Sequence, residues 1–197
     1  MNNVELNKQI KLSQHFTLGE LCKTSAKTQD GNIPSHVHIE NLKRLCGWLE
    51  MLRDEWNRRY ADGRCMMKDG RWKKEEGRGK MGEGRWKKEE GRWKMGEGRG
   101  KMGDEPIIIN SGYRSEAVNK AVGGVKGSNH LTGCAVDIHV QDMEQLIRYA
   151  TILLDISDES QEDFDELLLE RSPKGSYWLH FAVRPADNRR KVAFLRA

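Results

Sequence analysis

The sequence predicts an α+β fold, in which N-terminal helices pack on a small antiparallel sheet. Apolar residues recur at helical spacing from about Val37 to Arg59. In the second half, Cys134–Val140 alternates as a strand does, and Phe164–Glu170 and Tyr177–Val183 flank a cluster of turn residues. Helices that precede a group of strands are typical of the α+β class.

Composition limits the classes of protein that this chain can represent. Its 197 residues are enough for one domain of ordinary size. No run approaches the ~18 apolar residues of a membrane span. The start, Met1–Asn7, lacks the basic and apolar regions of a secretory signal, so we expect a protein that is cytoplasmic as synthesised. The 4 cysteines lie far apart, which indicates reduced thiols rather than disulfides or a four-cysteine zinc site.

Two helices are predicted before residue 62. Thr17-Leu-Gly-Glu20 has the spacing of a capping box and predicts a short helix. Pro34-Ser35 precedes the longer helix. Its apolar stripe, which we expect to face the core, consists of Ile39, Leu42, Leu45, Cys46, Leu49, Leu52 and Trp56.

Residues 63–103 form an inserted tandem repeat. Gly70–Glu83 and Gly84–Glu97 are nearly identical copies, and Gly98–Asp104 begins a third. The segment has 14 Lys and Arg against 7 Asp and Glu, a net charge of +7, which leaves −3 for the rest of the chain. Glycine fills 11 of its 41 positions, and no aliphatic residue is present to build a core. The excess positive charge therefore belongs to this segment and not to the fold.

Two interpretations of the insert compete. A basic strip with interleaved tryptophans could contact nucleic acid or an anionic wall polymer. Alternatively, it is a recent expansion in a disordered surface loop, which costs little closure entropy. The near-identity of the copies favours the loop, so we do not expect nucleic-acid binding. Residues 1–62 and 104–197 are then expected to form one domain.

The segment after the insert predicts short elements joined by tight turns. Pro106–Asn110 reads as a buried strand, and Ser115 as the cap of a helix over Glu116–Ala121 that Gly123-Gly124 ends. A further helix is predicted over Met143–Leu154. The two C-terminal strands are expected to pair as an antiparallel hairpin around Ser172–Ser176.

Three residues on these elements are candidate metal ligands. A catalytic zinc site needs three protein ligands and one open position. His130 lies in a loop, Asp137 faces out of a strand seven residues later, and His180 lies on the less apolar face of a neighbouring strand. Asp137 lies between Val136 and Ile138, where a buried carboxylate is costly without a cation or hydrogen-bond donors. Each signal is weak alone, but the order S-x-H-x(6)-D followed by W-x-H is specific.

These motifs resemble the zinc D-alanyl-D-alanine carboxypeptidase family, which includes phage L-alanyl-D-glutamate endolysins. The similarity is greatest to the short, single-domain, phage-like members, and it implies a hedgehog-type fold. It extends over the segments His15–Leu21, Ile108–Ser115, Asn119–Gly124, Ser128–Asp137 and Phe164–His180. The resemblance implies that His130, Asp137 and His180 bind zinc.

The resemblance also implies roles around the metal. Arg114 is expected to hold a carboxylate or carbonyl of the substrate and so to act in binding and catalysis, and its planar fork suits a carboxylate. Ser128 is expected to add a hydrogen bond to the same end of the substrate. Many members place a catalytic carboxylate three residues before the last histidine, where this chain has Tyr177.

The short phage-like members suggest instead that the base comes from the preceding strand, which points to Glu170. If Glu170 pairs with Trp178, it shares the face of His180, whereas a one-residue slip would turn it away. Glu166 lies on the same strand face and is the second candidate.

The expected activity is zinc-dependent hydrolysis of peptidoglycan peptide, of either the D-Ala-D-Ala carboxypeptidase or the L-Ala-D-Glu endopeptidase type. The partner would be the stem peptide of peptidoglycan. We expect the protein to be a monomer and not to bind a membrane. An endolysin would afterwards be released to the bacterial cell wall. The alternative is a catalytically inactive, zinc-containing module that binds peptidoglycan.

Overall fold

A computed structural model describes residues 7–61, 86–89, 92–95 and 105–196. Within these residues no helix has the length and apolar character needed to cross a membrane. The helices are α1 (Leu18–Leu21), α2 (His36–Trp56), α3 (Glu116–Ala121) and α4 (Met143–Ser160). The strands are β1 (Trp86–Glu89), β2 (Arg92–Met95), β3 (Ile109–Ser111), β4 (Ala135–His139), β5 (Glu166–Arg171), β6 (Tyr177–Ala182) and β7 (Lys191–Arg196). This architecture confirms the predicted α+β class.

Local capping sets the starts of the helices. Thr17 and Glu20 form the predicted capping box of α1, and Ser35 caps α2 with its hydroxyl on the third backbone N–H. The α-helix ends at Trp56, three residues before the predicted end, and a π-helical turn over Asn57–Ala61 continues it. Ser115 caps α3 with the predicted bounds.

A five-stranded sheet has the order β3-β4-β6-β5-β7. Its neighbours are antiparallel except for β5 and β7, which run parallel. β7 was not predicted from the sequence. Its apolar residues Val192, Phe194 and Leu195 are exposed, so the strand has no buried face that would give an alternation of apolar and polar residues. β5 and β6 form the predicted hairpin, in which Glu170 is the partner of Trp178.

The core lies between the helices and the sheet. The stripe of α2 is buried as predicted, except that Ile39 is half-buried at its edge. Trp48 of α2 contacts Phe164 and Phe181 at ring-centroid distances of 6.4 and 5.4 Å. α4 extends beyond the predicted Leu154 to Ser160 and ends at Gln161, which has a left-handed φ of 58°. The core thus supports one face of the sheet and leaves the other for polar residues of β4 and β6.

β1 and β2 lie within the inserted repeat and pair as an antiparallel hairpin, with Trp86 opposite Met95. The rest of the repeat lies outside the described residues. The boundaries of the insert and its expected disorder therefore stay predictions.

Candidate metal centre

The three candidate ligands come from three elements that meet at one face of the sheet. His130 lies on a 3₁₀ turn over Asn129–Thr132, whose N-cap is Ser128. Asp137 is at the centre of β4 and is the direct cross-strand partner of His180 on β6. All three residues are buried. The strand pairing therefore fixes two of them, and the turn brings the third.

Their donor atoms converge on one point. Asp137 Oδ1 lies 3.2 Å from His130 Nε2 and 3.0 Å from His180 Nδ1. One donor atom from each residue lies within 4.8 Å of the others. Bonds of about 2.0–2.1 Å in a tetrahedral zinc site place neighbouring ligand atoms roughly 3.3 Å apart. The observed distances thus suit a small divalent cation.

The hydrogen bond of His130 gives a second reason to expect a cation. His130 Nδ1 lies 2.6 Å from the carbonyl oxygen of Gly112, which can only accept. Nδ1 therefore carries the proton, and a neutral His130 directs the lone pair of Nε2 at the Asp137 carboxylate. Two lone pairs at 3.2 Å repel unless a proton or a metal ion lies between them. The arrangement fits a metal site, since imidazole and carboxylate are ligands that zinc accepts.

The charges of the three groups depend on each other. Burial raises the pKa of Asp137, but His130 and His180 outweigh it and hold that pKa below its usual range. Burial lowers the pKa of His130, and Asp137 offsets this only in part. Burial likewise opposes the charge of His180, but Asp137 and Glu166 raise its pKa to about 9. The carboxylate is thus ionised at neutral pH and available to a cation.

Arg114 lies behind Asp137. Its Nη2 donates to Asp137 Oδ2 at 2.5 Å, its Nε donates to Ser111 Oγ at 2.9 Å, and its backbone N–H donates to the His130 carbonyl at 3.0 Å. The structure therefore places this predicted substrate-binding residue in contact with a candidate ligand. Ser128, the second predicted substrate contact, is half-buried and accepts a hydrogen bond from the His130 backbone at 3.3 Å.

The two candidate bases have different surroundings. Glu170 is half-buried on the face of His180, where Trp178 donates a hydrogen bond to it. Burial raises the pKa of Glu170. No cation among the described residues lies within ion-pair distance of this carboxylate.

Glu166 is close to the histidine but bound by several groups. Its Oε2 lies 3.7 Å from His180 Nε2 and accepts from Asn129 Nδ2 at 3.0 Å, while Oε1 accepts from Lys191 at 3.1 Å. The contact with His180 is the main reason that the pKa of Glu166 falls to about 2, and Lys191 adds to it against burial. Glu170 is therefore the better candidate for a proton acceptor.

Asp165, a fully buried carboxylate directly before β5, was not predicted from the sequence as a site residue. It accepts two side-chain hydrogen bonds from Arg189, at 2.8 and 2.7 Å, and one at 2.8 Å from Asn129, the residue before His130. Its one apolar neighbour, Phe164, was a weaker signal than the Val136 and Ile138 that flank Asp137, because Glu166 follows Asp165. Asp165 therefore ties the His130 turn to the sheet.

Comparison with known proteins agrees with this geometry. A family model described as Peptidase M15 matches residues 71–155. The matched range includes Arg114, Ser128, His130 and Asp137, but ends before Glu166, Glu170 and His180. A search of curated proteins finds no match. The matched range covers less than half of the chain, so it shows a similarity to M15 peptidases and does not distinguish among their activities.

Proposed function

We propose that this protein is a zinc peptidase that hydrolyses peptide bonds of the peptidoglycan stem peptide. Either the terminal D-Ala-D-Ala bond or the L-Ala-D-Glu bond would be cleaved. The convergence of His130, Asp137 and His180 within 4.8 Å is the observation that carries the proposal. The match to the M15 peptidase model over residues 71–155 supports it independently.

Three ligand atoms would hold the metal: His130 Nε2, Asp137 Oδ1 and His180 Nδ1. Three protein ligands leave one coordination position open, as in catalytic zinc sites. Zinc bound there would act as a Lewis acid on the scissile carbonyl and would lower the pKa of a water molecule. The protein's own contribution is to hold these atoms on a paired strand and a capped turn, with little freedom to move.

Glu170 would accept the proton of the attacking water and return it to the leaving amine. Its half-buried position, its place on the face of His180 and the hydrogen bond from Trp178 suit a carboxylate that must gain and lose a proton. General base catalysis of this kind contributes about 10²–10⁴-fold to a rate.

Arg114 and Ser128 would bind the substrate. A guanidinium has five N–H donors, of which Arg114 uses one on Asp137 and one on Ser111. The remaining N–H donors suit a carboxylate or a carbonyl oxygen of the substrate. The stem peptide would supply the negatively charged group. The Ser128 hydroxyl accepts from His130 and keeps its own proton to donate.

Metal content and hydrolysis, measured on the same samples, test the proposal. The wild type should contain about one zinc per chain and release peptide fragments from purified muropeptides. His180→Ala should lose both. His139→Ala is the matched control, since His139 is an exposed histidine two residues from Asp137 and should keep both. Absence of zinc from folded wild-type protein would refute the metal centre. Zinc without hydrolysis would favour the inactive binding module, which the tyrosine at position 177 makes the natural alternative.

Glu170→Gln tests the proposed base separately. The amide keeps the size of the side chain but cannot take a proton, so zinc content should be retained and kcat should fall by about 10²–10⁴-fold. Mass spectrometry of products from peptides that end in D-Ala-D-Ala, or that contain L-Ala-D-Glu, identifies the bond. Full activity of Glu170→Gln would exclude Glu170 as the base.

A further inference from the structure

The geometry points to Glu166 as a positioning residue that holds His180 in its metal-binding orientation and couples it to the His130 turn. This inference rests on the proposed function, since it assigns to Glu166 a role in the same zinc site. It also separates Glu166 from Glu170, which lies on the same face of β5.

The groups around the His180 ring determine which of its two nitrogens carries the proton. Nδ1 of this imidazole faces Asp137 Oδ1 at 3.0 Å, and Nε2 faces Glu166 Oε2 at 3.7 Å. For Nδ1 to offer a lone pair to a metal, the ring proton must be on Nε2. A carboxylate on the Nε2 side favours that tautomer and makes the imidazole a stronger donor. At 3.7 Å the contact is an electrostatic one between the imidazole and the carboxylate.

Neighbouring side chains hold the Glu166 carboxylate in place. Oε1 accepts from Lys191 at 3.1 Å and lies 3.0 Å from Arg189 Nη2 in an ion pair, whereas Oε2 accepts from Asn129 at 3.0 Å and faces His180. A carboxylate has about four lone-pair positions, and Lys191, Arg189 and Asn129 engage both oxygens of Glu166. A base must instead present a free oxygen to water. Glu166 is therefore built to orient other groups and not to exchange protons.

Asn129 links Glu166 to His130, the other histidine among the candidate ligands. The Asn129 side chain donates to both Glu166 and Asp165, at 3.0 and 2.8 Å, and Asn129 directly precedes His130 in the chain. Glu166 thus contacts one candidate ligand and the neighbour of a second. Loss of its carboxylate should loosen both histidines relative to Asp137.

Zinc affinity, measured by competition with a chromogenic chelator, is the readout that separates positioning from catalysis. We expect Glu166→Ala to weaken zinc binding by about 10–100-fold, and kcat at saturating zinc to stay within a few-fold of wild type. Glu166→Gln keeps an oxygen that can accept from His180 Nε2–H, so it should recover most of the affinity. Asp163→Asn is the matched control, because it removes one carboxylate near the start of β5 that pairs only with Arg190 among the described residues.

Two outcomes would overturn the inference. If Glu166→Ala and Asp163→Asn bind zinc equally tightly, Glu166 has no positioning role. If Glu166→Gln keeps zinc but loses kcat at saturating zinc, Glu166 is the base. The glutamine variant keeps the test decisive where the alanine variant does not fold. Because the affinity measurement needs no turnover, zinc binding that depends on Glu166 in a protein without hydrolysis would support the inference while refuting the proposed peptidase activity.

Discussion

Gly112→Ala should disturb the metal centre through a single steric contact. A Cβ at this position would lie 2.2 Å from the backbone oxygen of Leu21. That oxygen already accepts a hydrogen bond from Tyr113 N–H at 2.7 Å, so moving it aside would strain this bond. The carbonyl of Gly112 in turn accepts from His130 Nδ1 at 2.6 Å. The added methyl group therefore pushes on the segment that orients a candidate ligand.

The size of the effect follows from these distances. Ordinary contact for a Cβ begins at 3.4 Å, so the segment and Leu21 must separate by about 1.2 Å. Such overpacking costs about 1–3 kcal/mol, and the strained hydrogen bond of Tyr113 about another 0.5–1.5 kcal/mol. We expect a loss of roughly 1.5–4.5 kcal/mol in the free energy of unfolding. Displacement of His130 should weaken zinc binding by about 10–100-fold, as loss of an outer hydrogen bond does elsewhere.

Urea unfolding followed by tryptophan fluorescence, together with chelator competition for zinc, measures both effects. Gly127→Ala is the matched control, because a Cβ there meets nothing within 4 Å. The control should stay within about 0.5 kcal/mol of wild type. If Gly112→Ala matches the control in both unfolding midpoint and zinc affinity, the contact with Leu21 does not orient His130 and the reasoning fails.

Three further predictions concern pH, metal removal and thiol protection. Burial raises the pKa of Glu55, but Arg58 and Arg59 outweigh it and lower that pKa. The contribution of Glu55 to stability is therefore full above about pH 4.3 and is lost as the pH falls through the lowered pKa. Glu55→Gln should therefore lower the free energy of unfolding by about 1–3 kcal/mol at pH 7. In urea melts between pH 5 and 2 the variant should lose less stability with acid than the wild type does, and an unchanged acid profile would contradict this. Removal of zinc by a chelator should lower the stability measured in saturating zinc, by about 2.7 kcal/mol at 100 times the Kd, and an unshifted Tm in calorimetry would count against a native-state site. Burial raises the pKa of the Cys22 thiol to about 12 and also raises that of Cys46, so both should resist iodoacetamide in native buffer and react in urea, as peptide mapping would show.

Much of the local structure was predictable because it depends on neighbours in the chain. The cap of α3 at Ser115 and the capping box at Thr17 involve residues only three positions apart. The β5–β6 hairpin was predictable from its turn residues, whereas its register was left open between pairing of Glu170 with Trp178 and a one-residue slip, and the structure has the former.

Other features depend on contacts between distant parts of the chain and left little signal. β7 has exposed apolar side chains and joins the sheet only through parallel pairing with β5, 25 residues earlier at Lys191 and Glu166. The ion pair of Arg189 with Asp165 likewise needs the folded sheet to bring its partners together. Charged residues in a polar C-terminal segment are usually solvated, so nothing in the local sequence distinguishes these.

For the candidate site, the sequence by itself determined which chemical groups were available. A histidine, an aspartate seven residues later and a histidine on a separate strand specified an imidazole and carboxylate set. It also placed Glu166 and Glu170 on one strand face, with Glu170 as the first candidate for the base and Glu166 as the second. Only the tertiary structure gives the two carboxylates different surroundings, because β7 and the His130 turn bring Lys191 and Asn129 to Glu166 and leave Glu170 beside Trp178. A side chain's residue type is encoded locally, but its charge state and freedom to move depend on the groups that folding places around it.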